Sequence, residues 1–436
     1  MEFLMDERKI LFVLPWLPFP LDSGGRQAIF NGIKAAAGNA KIYITFKTAE
    51  TPVDSDVEGF TEQIGACDII PFIEHRPVVE KKPESFCGKC LNVYKAFRHS
   101  AKLCLKKLAG IRETPSPVAI EPEYKRWLSV LYPFDESFAL FVRNLVIENN
   151  IDIVQCEMLR NIGIVYFLPE TVKKIFVHHE LGMVRHRLES EQIEGEESIK
   201  NAYLKFFEGC EVEALNQYDV VITLSETDKQ KLISFGVKTN VEASTAVVST
   251  HVSVINDTDR FHTLSFLGND LHSPNLVGIK WFLDNCWGTL LEKDENYNLQ
   301  MVGKWSEPVR EEISNNYRNV SFTGFVPDLS DVIEGTIMIV PITVGSGIRM
   351  KILEAASIGC PIVSTSIGAE GIPMVDGSNC YLADNPLEFV YAILKLKDES
   401  IRKSFVLEAR KMVMRHYSYD AFAEGRIKIF ERLINS

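Results

Sequence analysis

The sequence predicts an α/β protein built as two doubly wound, Rossmann-like sheets that face each other across a cleft. Three observations predict it. Short apolar runs alternate with helical patterns along most of the 436 residues, the pattern of parallel strands buried under crossover helices. The alternation loosens once, over about 242–262, and the chain exceeds the size at which a single core keeps growing. Gly24-Gly25 and Gly345-Ser346-Gly347 each follow a strand candidate, where sheets of this kind bind ligands.

Taken in order, KILFVL (9–14) reads as the first strand, Asp22-Ser-Gly-Gly-Arg26 as a glycine loop, and AIFNGIKAAAGN as a helix stopping at Gly38-Asn39. KIYITF (41–46), DIIPF (68–72), IDIVQCE (151–157), KIFVHH (174–179) and DVVITLS (219–225) are further strands of a first unit, 1–242. HTLSFLG (262–268), YNLQMVG (297–303), VSFTGFV (320–326), GTIMIVPI (335–342) and PIVSTS (361–366) belong to a second, 260–417, with helices such as NLVGIKWFLDNCW and DLSDVIEG between them. Residues 418–436 form one last amphipathic helix. Residues 74–135 fit the alternation badly. Within them, 91–112 carries Lys95, Arg98, Lys102, Lys106, Lys107 and Arg112 among apolar residues. Such a helix suits either an anionic membrane surface or a solvated face over the domain.

Composition narrows the function. A net charge of −12 excludes a protein that coats nucleic acid, because counterion-release binding needs a basic face. Nine cysteines at scattered positions fit reduced thiols of a cytoplasmic protein, and Cys87-Gly-Lys-Cys90 lacks the second pair that a zinc site needs. The run ILFVLPWLPFPL is broken by prolines, and no stretch reaches the ~20 apolar residues of a membrane span.

The chemistry concentrates in VGSGIRMKILEAASIGCPIVST, 344–365. Gly345 and Gly347 let the backbone turn and approach a ligand, and the helix opening at Ile348 points free N–H groups at the loop. Arg349 and Lys351 put cations at a helix N-terminus, where they oppose the dipole unless an anion is bound. That conflict argues for a phosphate site. Glu354, further along the helix, is placed to accept from two vicinal hydroxyls, such as those of a ribose.

Gly-x-Gly-x-Arg-x-Lys-x-x-Glu-Ala, followed by Gly359-Cys-Pro361-Ile-Val-Ser-Thr and Gly368-Ala-Glu-Gly371, resembles the donor-binding region of the GT-B-fold glycosyltransferases of family 4, in a subgroup with the GxGxRxKxxE loop. The resemblance extends through FLGNDLHSPNLVGIKWFLDNCW and FTGFVPDLSDVIEGTIMIVP. It implies a retaining, metal-independent hexosyltransferase that takes a nucleotide-diphosphate sugar and no other cofactor. It also implies that the closing helix crosses back to the first domain. Its acceptors would be hydroxyls of glycans, lipid-linked glycans or small molecules, in a cytoplasmic enzyme that is peripheral at the membrane where 91–112 meets it.

Carried over by residue, the resemblance makes Glu354 the ribose ligand and turns the backbone of Gly345, Ser346, Gly347 and Ile348 toward the distal phosphate and sugar. Phe325 and Val326 border the nucleobase, and Gly24 and Gly25 approach the diphosphate from the opposite domain. His179, in FVHHE at a strand end, lies beside the transferred sugar. Two positions depart from the family. Ser346 stands where many members have a glutamate, and Asn269 where most have an arginine, so Arg349 and Lys351 supply the charge. A sugar-nucleotide epimerase of the same fold, using Glu180 and Glu370, and a non-catalytic nucleotide- or glycan-binding subunit are the alternative readings. Asp54-Ser-Asp56 and Asp257-Thr-Asp259 have the DxD form of metal-dependent transferases but follow no apolar strand.

Overall fold

The computed structural model describes residues 8–21, 23–74, 135–191, 196–248, 260–345 and 347–435. Its strands are β1 Lys9–Leu14, β2 Lys41–Thr48, β3 Cys67–Ile69, β4 Phe72–Ile73, β5 Ile153–Glu157, β6 Lys173–His178, β7 Val220–Thr223 and β8 Asn240–Ala243 in a first sheet. A second sheet holds β9 Thr263–Leu267, β10 Asn298–Val302, β11 Val320–Gly324, β12 Ile337–Val340, β13 Ile362–Ser364 and β14 Tyr381–Leu382.

Among the described residues every ladder is parallel. The first sheet runs β3-β2-β1-β5-β6-β7-β8, with β4 beside β2, and the second β11-β10-β9-β12-β13-β14. The order reverses between β1 and β5 and again between β9 and β12. A ligand crevice opens at such switch points, beyond the carboxyl ends of the strands.

The continuous apolar runs reflect burial on both faces. In β1, Leu11 and Val13 pack with Phe138 and Phe207 on one side, while Ile10, Phe12 and Leu14 pack with Ile29, Phe30 and Phe430 on the other. Fully burying one such side chain is worth about 1.5–3 kcal/mol. The last helix, Tyr419–Asn435, supplies Ile429, Phe430 and Leu433 to this first-sheet core, so the chain crosses back after completing the second sheet.

Several local readings are corrected. Gly24 and Gly25 are not a loop: they are the first residues of the helix Gly24–Ala37, N-capped by Ser23, whose Oγ accepts from Arg26 N–H at 3.5 Å. Asp54 and Asp56 open the helix Asp54–Ile64, where their charges favour the helix dipole. The segment 68–72 divides into β3 and β4 at Pro71, which has no N–H to donate. Residues 283–287 widen to a π turn inside a helical run from Ser273 to Lys293. The basic stretch 91–112, the Cys87–Cys90 pair, Asp257–Asp259 and Ser346 lie outside the described residues. Among the described residues, no helix is long and apolar enough to cross a membrane.

Candidate active site

The loop after β12 reaches across to the carboxyl edge of the first sheet. Gly347 has φ +83°, and a methyl group on it would come to 2.9 Å from the carbonyl oxygen of His179, just past β6. Gly24 faces Met350 just as closely: a Cβ there would meet Met350 Cγ at 2.7 Å. Lys231 closes the same crevice with an ion pair to Glu370 at 2.6 Å. The two sheets therefore touch around the loop that carries the cations.

Arg349 caps the helix Met350–Ile358 and is only 8% exposed. Its Nη1 donates to the Gly347 carbonyl, which ties the side chain to the loop. Burial lowers its pKa, and the carboxylates of Glu180, Glu370 and Asp228 oppose that shift. Lys351 is half-buried; its Nζ donates to Asn275 Oδ1 at 2.7 Å and lies 4.6 Å from the centre of the Phe266 ring. Loss of water, aided by neighbouring Arg349 and opposed by Glu354, pulls the ammonium down to about 7. Glu354 is half-buried, and burial raises its pKa against Lys351 and a hydrogen bond from Gln27 of the opposite sheet's first helix. Two cations and one carboxylate thus share a site in which each is partly stripped of water, where charge interactions are strong.

Asn269 turns inward. Its Oδ1 accepts from His272 N–H at 3.1 Å and its carbonyl accepts from Asn275 Nδ2 at 3.1 Å. It shapes the turn after β9, and Asn275 rather than Asn269 reaches the Lys351 ammonium. His272 keeps part of its surface in solvent, yet crowding by protein atoms lowers its pKa; Glu180 opposes, and Lys351, Arg349 and Arg185 add to the shift. Asn275, Gln27 and His272 carry no local motif, so sequence reading misses them.

Phe325 stands 51% exposed at the end of β11 with the Lys304 ammonium 5.3 Å from its ring centre, and Val326 packs on the second core. Trp305 lies between Phe266 and Phe322, and its buried indole N–H has no hydrogen-bond partner. An exposed aromatic face with a cation beside it suits a planar polar ring. Ile348 leans on the second core next to Gly371.

The two histidines part company, as adjacent strand residues do. His178 Nε2 meets Glu211 Oε1 at 2.7 Å in the core, whereas His179 Nε2 meets Glu157 Oε2 at 2.6 Å at the crevice. Glu180 pairs with Arg185 at 3.1 Å and Glu370 with Lys231, so both carboxylates already hold cations. Among the described residues, no three of His, Cys, Asp and Glu cluster as metal ligands would.

Residues 261–399 match the family described as Glycosyl transferases group 1. A 44.6 kDa protein of the cps region of Klebsiella pneumoniae is 26% identical over 161 residues. That stretch is 35% of this chain and 42% of the relative, less than half its length. The fold is similar to that of sucrose-phosphate synthase from Thermosynechococcus elongatus, with 13% identity over 98% of this chain and 99% of that one, at a TM-score of 0.67. A TarM mutant from S. aureus, in complex with fondaparinux, alpha-GlcNAc-glycerol and UDP, is 12% identical over 98% of this chain and 100% of its own, at 0.64. HepE of Anabaena with UDP and glucose is 13% identical over 98% and 100%, at 0.63. The match to the glycosyl transferase group 1 family thus falls on the second sheet, and the two facing parallel sheets have the GT-B architecture of the solved structures.

Proposed function

We propose that the chain transfers a hexose unit from a nucleoside-diphosphate sugar to a hydroxyl of a glycan or lipid-linked acceptor, with retention and without a metal. The observation that carries the reading is the pair Arg349 and Lys351, two partly desolvated cations beside a glycine-pinched loop at the meeting edges of both sheets. A nucleoside diphosphate leaving group gains negative charge as the glycosidic bond breaks, and preorganised cations and loop N–H groups stabilise that charge. Glu354 would hold the ribose, with Phe325 and Val326 at the base. Closure of the crevice at Gly347 and Lys231 would exclude the water that otherwise hydrolyses the donor. Retention rests on the resemblance to family 4. UDP-sugars are the first donors to test, because the solved TarM and HepE structures hold UDP.

The test is release of UDP from UDP-glucose and UDP-N-acetylglucosamine with and without a glycan acceptor. Acceptor-stimulated release that persists in chelator is the expected result. Release that disappears in chelator and returns with manganese would refute metal independence; interconversion of the donor sugar without acceptor would establish the epimerase instead. An epimerase reading gains nothing from Glu180 and Glu370, since each is held in an ion pair.

Lys351 makes donor binding depend on pH. Its free-state pKa is about 7, and a diphosphate placed against the ammonium must raise it. Binding then takes up a proton above pH 7, where a terminal phosphate is already ionised. Affinity for UDP is therefore full below about pH 7 and falls as pH rises, by at most about tenfold per unit. Calorimetry across pH 6–9 reads the slope directly. Lys351→Arg, which stays charged throughout, should flatten it; an equal slope in that variant would remove Lys351 from the phosphate site.

A further inference from the structure

We propose that Glu157 is a positioning residue for His179: it accepts a hydrogen bond from the imidazole Nε2–H and so keeps Nδ1, the ring's other nitrogen, as the polar atom offered to the crevice. The inference rests on reading that crevice as the sugar-transfer site. Its support is a set of contacts made by residues far apart in sequence.

Glu157 is the last residue of β5 and 1% exposed. One carboxylate oxygen meets His179 Nε2 at 2.6 Å, and the other accepts from Gln155 Nε2 at 2.5 Å. Both oxygens are thereby committed, and the carboxylate cannot swing away from the ring. Behind it, the closing helix brings Arg426, 3% exposed, whose Nε donates to Ser244 Oγ at 2.9 Å. The Arg426 Nη1 is buried with no hydrogen-bond partner, and its charge is attracted by Glu157 through space. A buried carboxylate costs several kcal/mol unless it is paired, so the chain spends an internal cation and an amide to keep Glu157 where it is. Toward the crevice the network continues into the His179 ring, whose own backbone carbonyl lies against the Gly347 loop.

A carboxylate accepts but does not donate, so the nitrogen facing Glu157 must carry the proton. Nδ1 is then free to accept from a hydroxyl of the donor or acceptor sugar. Glu157→Gln keeps the shape and lets the amide donate to Nε2, which drives the ring to the opposite tautomer. His178 offers an internal comparison, because its partner Glu211 lies in the core away from the crevice.

Two measurements test the proposal. Long-range nitrogen–proton correlation of the imidazoles, with His179 assigned by its loss in His179→Gln, should show the proton on Nε2 in the wild type and displaced from it in Glu157→Gln. A wild-type His179 with its lone proton on Nδ1 would overturn the proposal whatever the activity. In steady-state UDP release from UDP-glucose, Glu157→Gln should lower kcat by about 10²-fold, the order of one hydrogen bond lost in the transition state, with donor KM little changed. Glu157→Asp, which keeps the acceptor, should recover part of the rate. Adding Glu157→Gln to His179→Ala should cost nothing further, since Glu157 acts only through the ring. Full additivity, or wild-type kcat in Glu157→Gln, would also overturn it. A wild type that releases no UDP while His179 shows the expected tautomer would count against the transferase reading and not against the positioning.

Discussion

Arg349→Ala is expected to lower kcat for donor turnover by about 10²–10³, equivalent to about 2.7–4 kcal/mol, the usual cost of one lost donor at a developing anion. Donor KM should change little, because phosphate charge grows as the bond breaks and the contact strengthens in the transition state. Glu354→Gln should behave in the opposite way. It weakens ribose bonds that are the same in ground and transition state, so KM should rise while kcat holds. Steady-state UDP release from both variants separates the two roles. A normal kcat in Arg349→Ala would make the arginine structural and dismantle the phosphate-cradle reading.

The same variant tests a conflict between local and tertiary electrostatics. A cation at a helix N-terminus costs about 0.3–1 kcal/mol against the dipole, so by that argument alone Arg349→Ala stabilises the ligand-free protein. The fold surrounds Arg349 with the attractions of Glu180, Glu370 and Asp228, and its Nη1 holds the Gly347 carbonyl. Glu180 and Glu370 keep their own partners, Arg185 and Lys231, when it is removed. Burial, the largest influence on Arg349, also disfavours its charge, so the melting temperature of Arg349→Ala should hold or rise; a clear fall would show that the carboxylates and the Gly347 contact outweigh dipole and burial.

What could be read from sequence, and what could not, follows from the range of the interactions involved. Strands such as β1, β6 and β12 are legible because burial on both faces makes them continuous apolar runs. Two strands of the sheet edges escape notice. NVEA of β8 has Asn240 and Glu242 in a four-residue strand, with Glu242 turned out to Arg432, and β14 is two residues long. Arg349, Lys351 and Glu354 could be picked out together because six residues of one loop and helix contain them. Their companions could not. Asn275 lies 76 positions from Lys351, and Glu157 lies 22 from His179 on the neighbouring strand. Parallel topology alone brings such pairs together, and neither carries a local pattern. Gly24 and Gly25 show the reverse error. Two adjacent glycines read as a loop, whereas here they start a helix whose missing side chains make room for Met350 and Met158.

Gly347→Ala should be the most damaging single-methyl change in the crevice. The residue has φ +83°, where a Cβ costs about 1–2 kcal/mol. The new methyl would also sit 2.9 Å from the His179 carbonyl oxygen. That oxygen is backbone at the end of a central strand and cannot rotate away. Gly377→Ala supplies the control, since Gly377 has φ +71° with nothing within 4 Å of the added carbon. It should lose the strain energy alone. Gly347→Ala should lose that and then either carry an overpacking cost of about 1–3 kcal/mol or withdraw the loop from His179. Withdrawal relieves the clash, so its melting temperature need not fall much below that of the control. It also carries the Gly347 carbonyl, and with it Arg349, away from the first sheet. A group displaced by about 1 Å from the reacting centre costs on the order of 10²-fold in rate, so kcat should collapse even where stability does not. Full turnover in Gly347→Ala, with a melting temperature equal to that of Gly377→Ala, would mean that the loop and His179 are apart when the protein works.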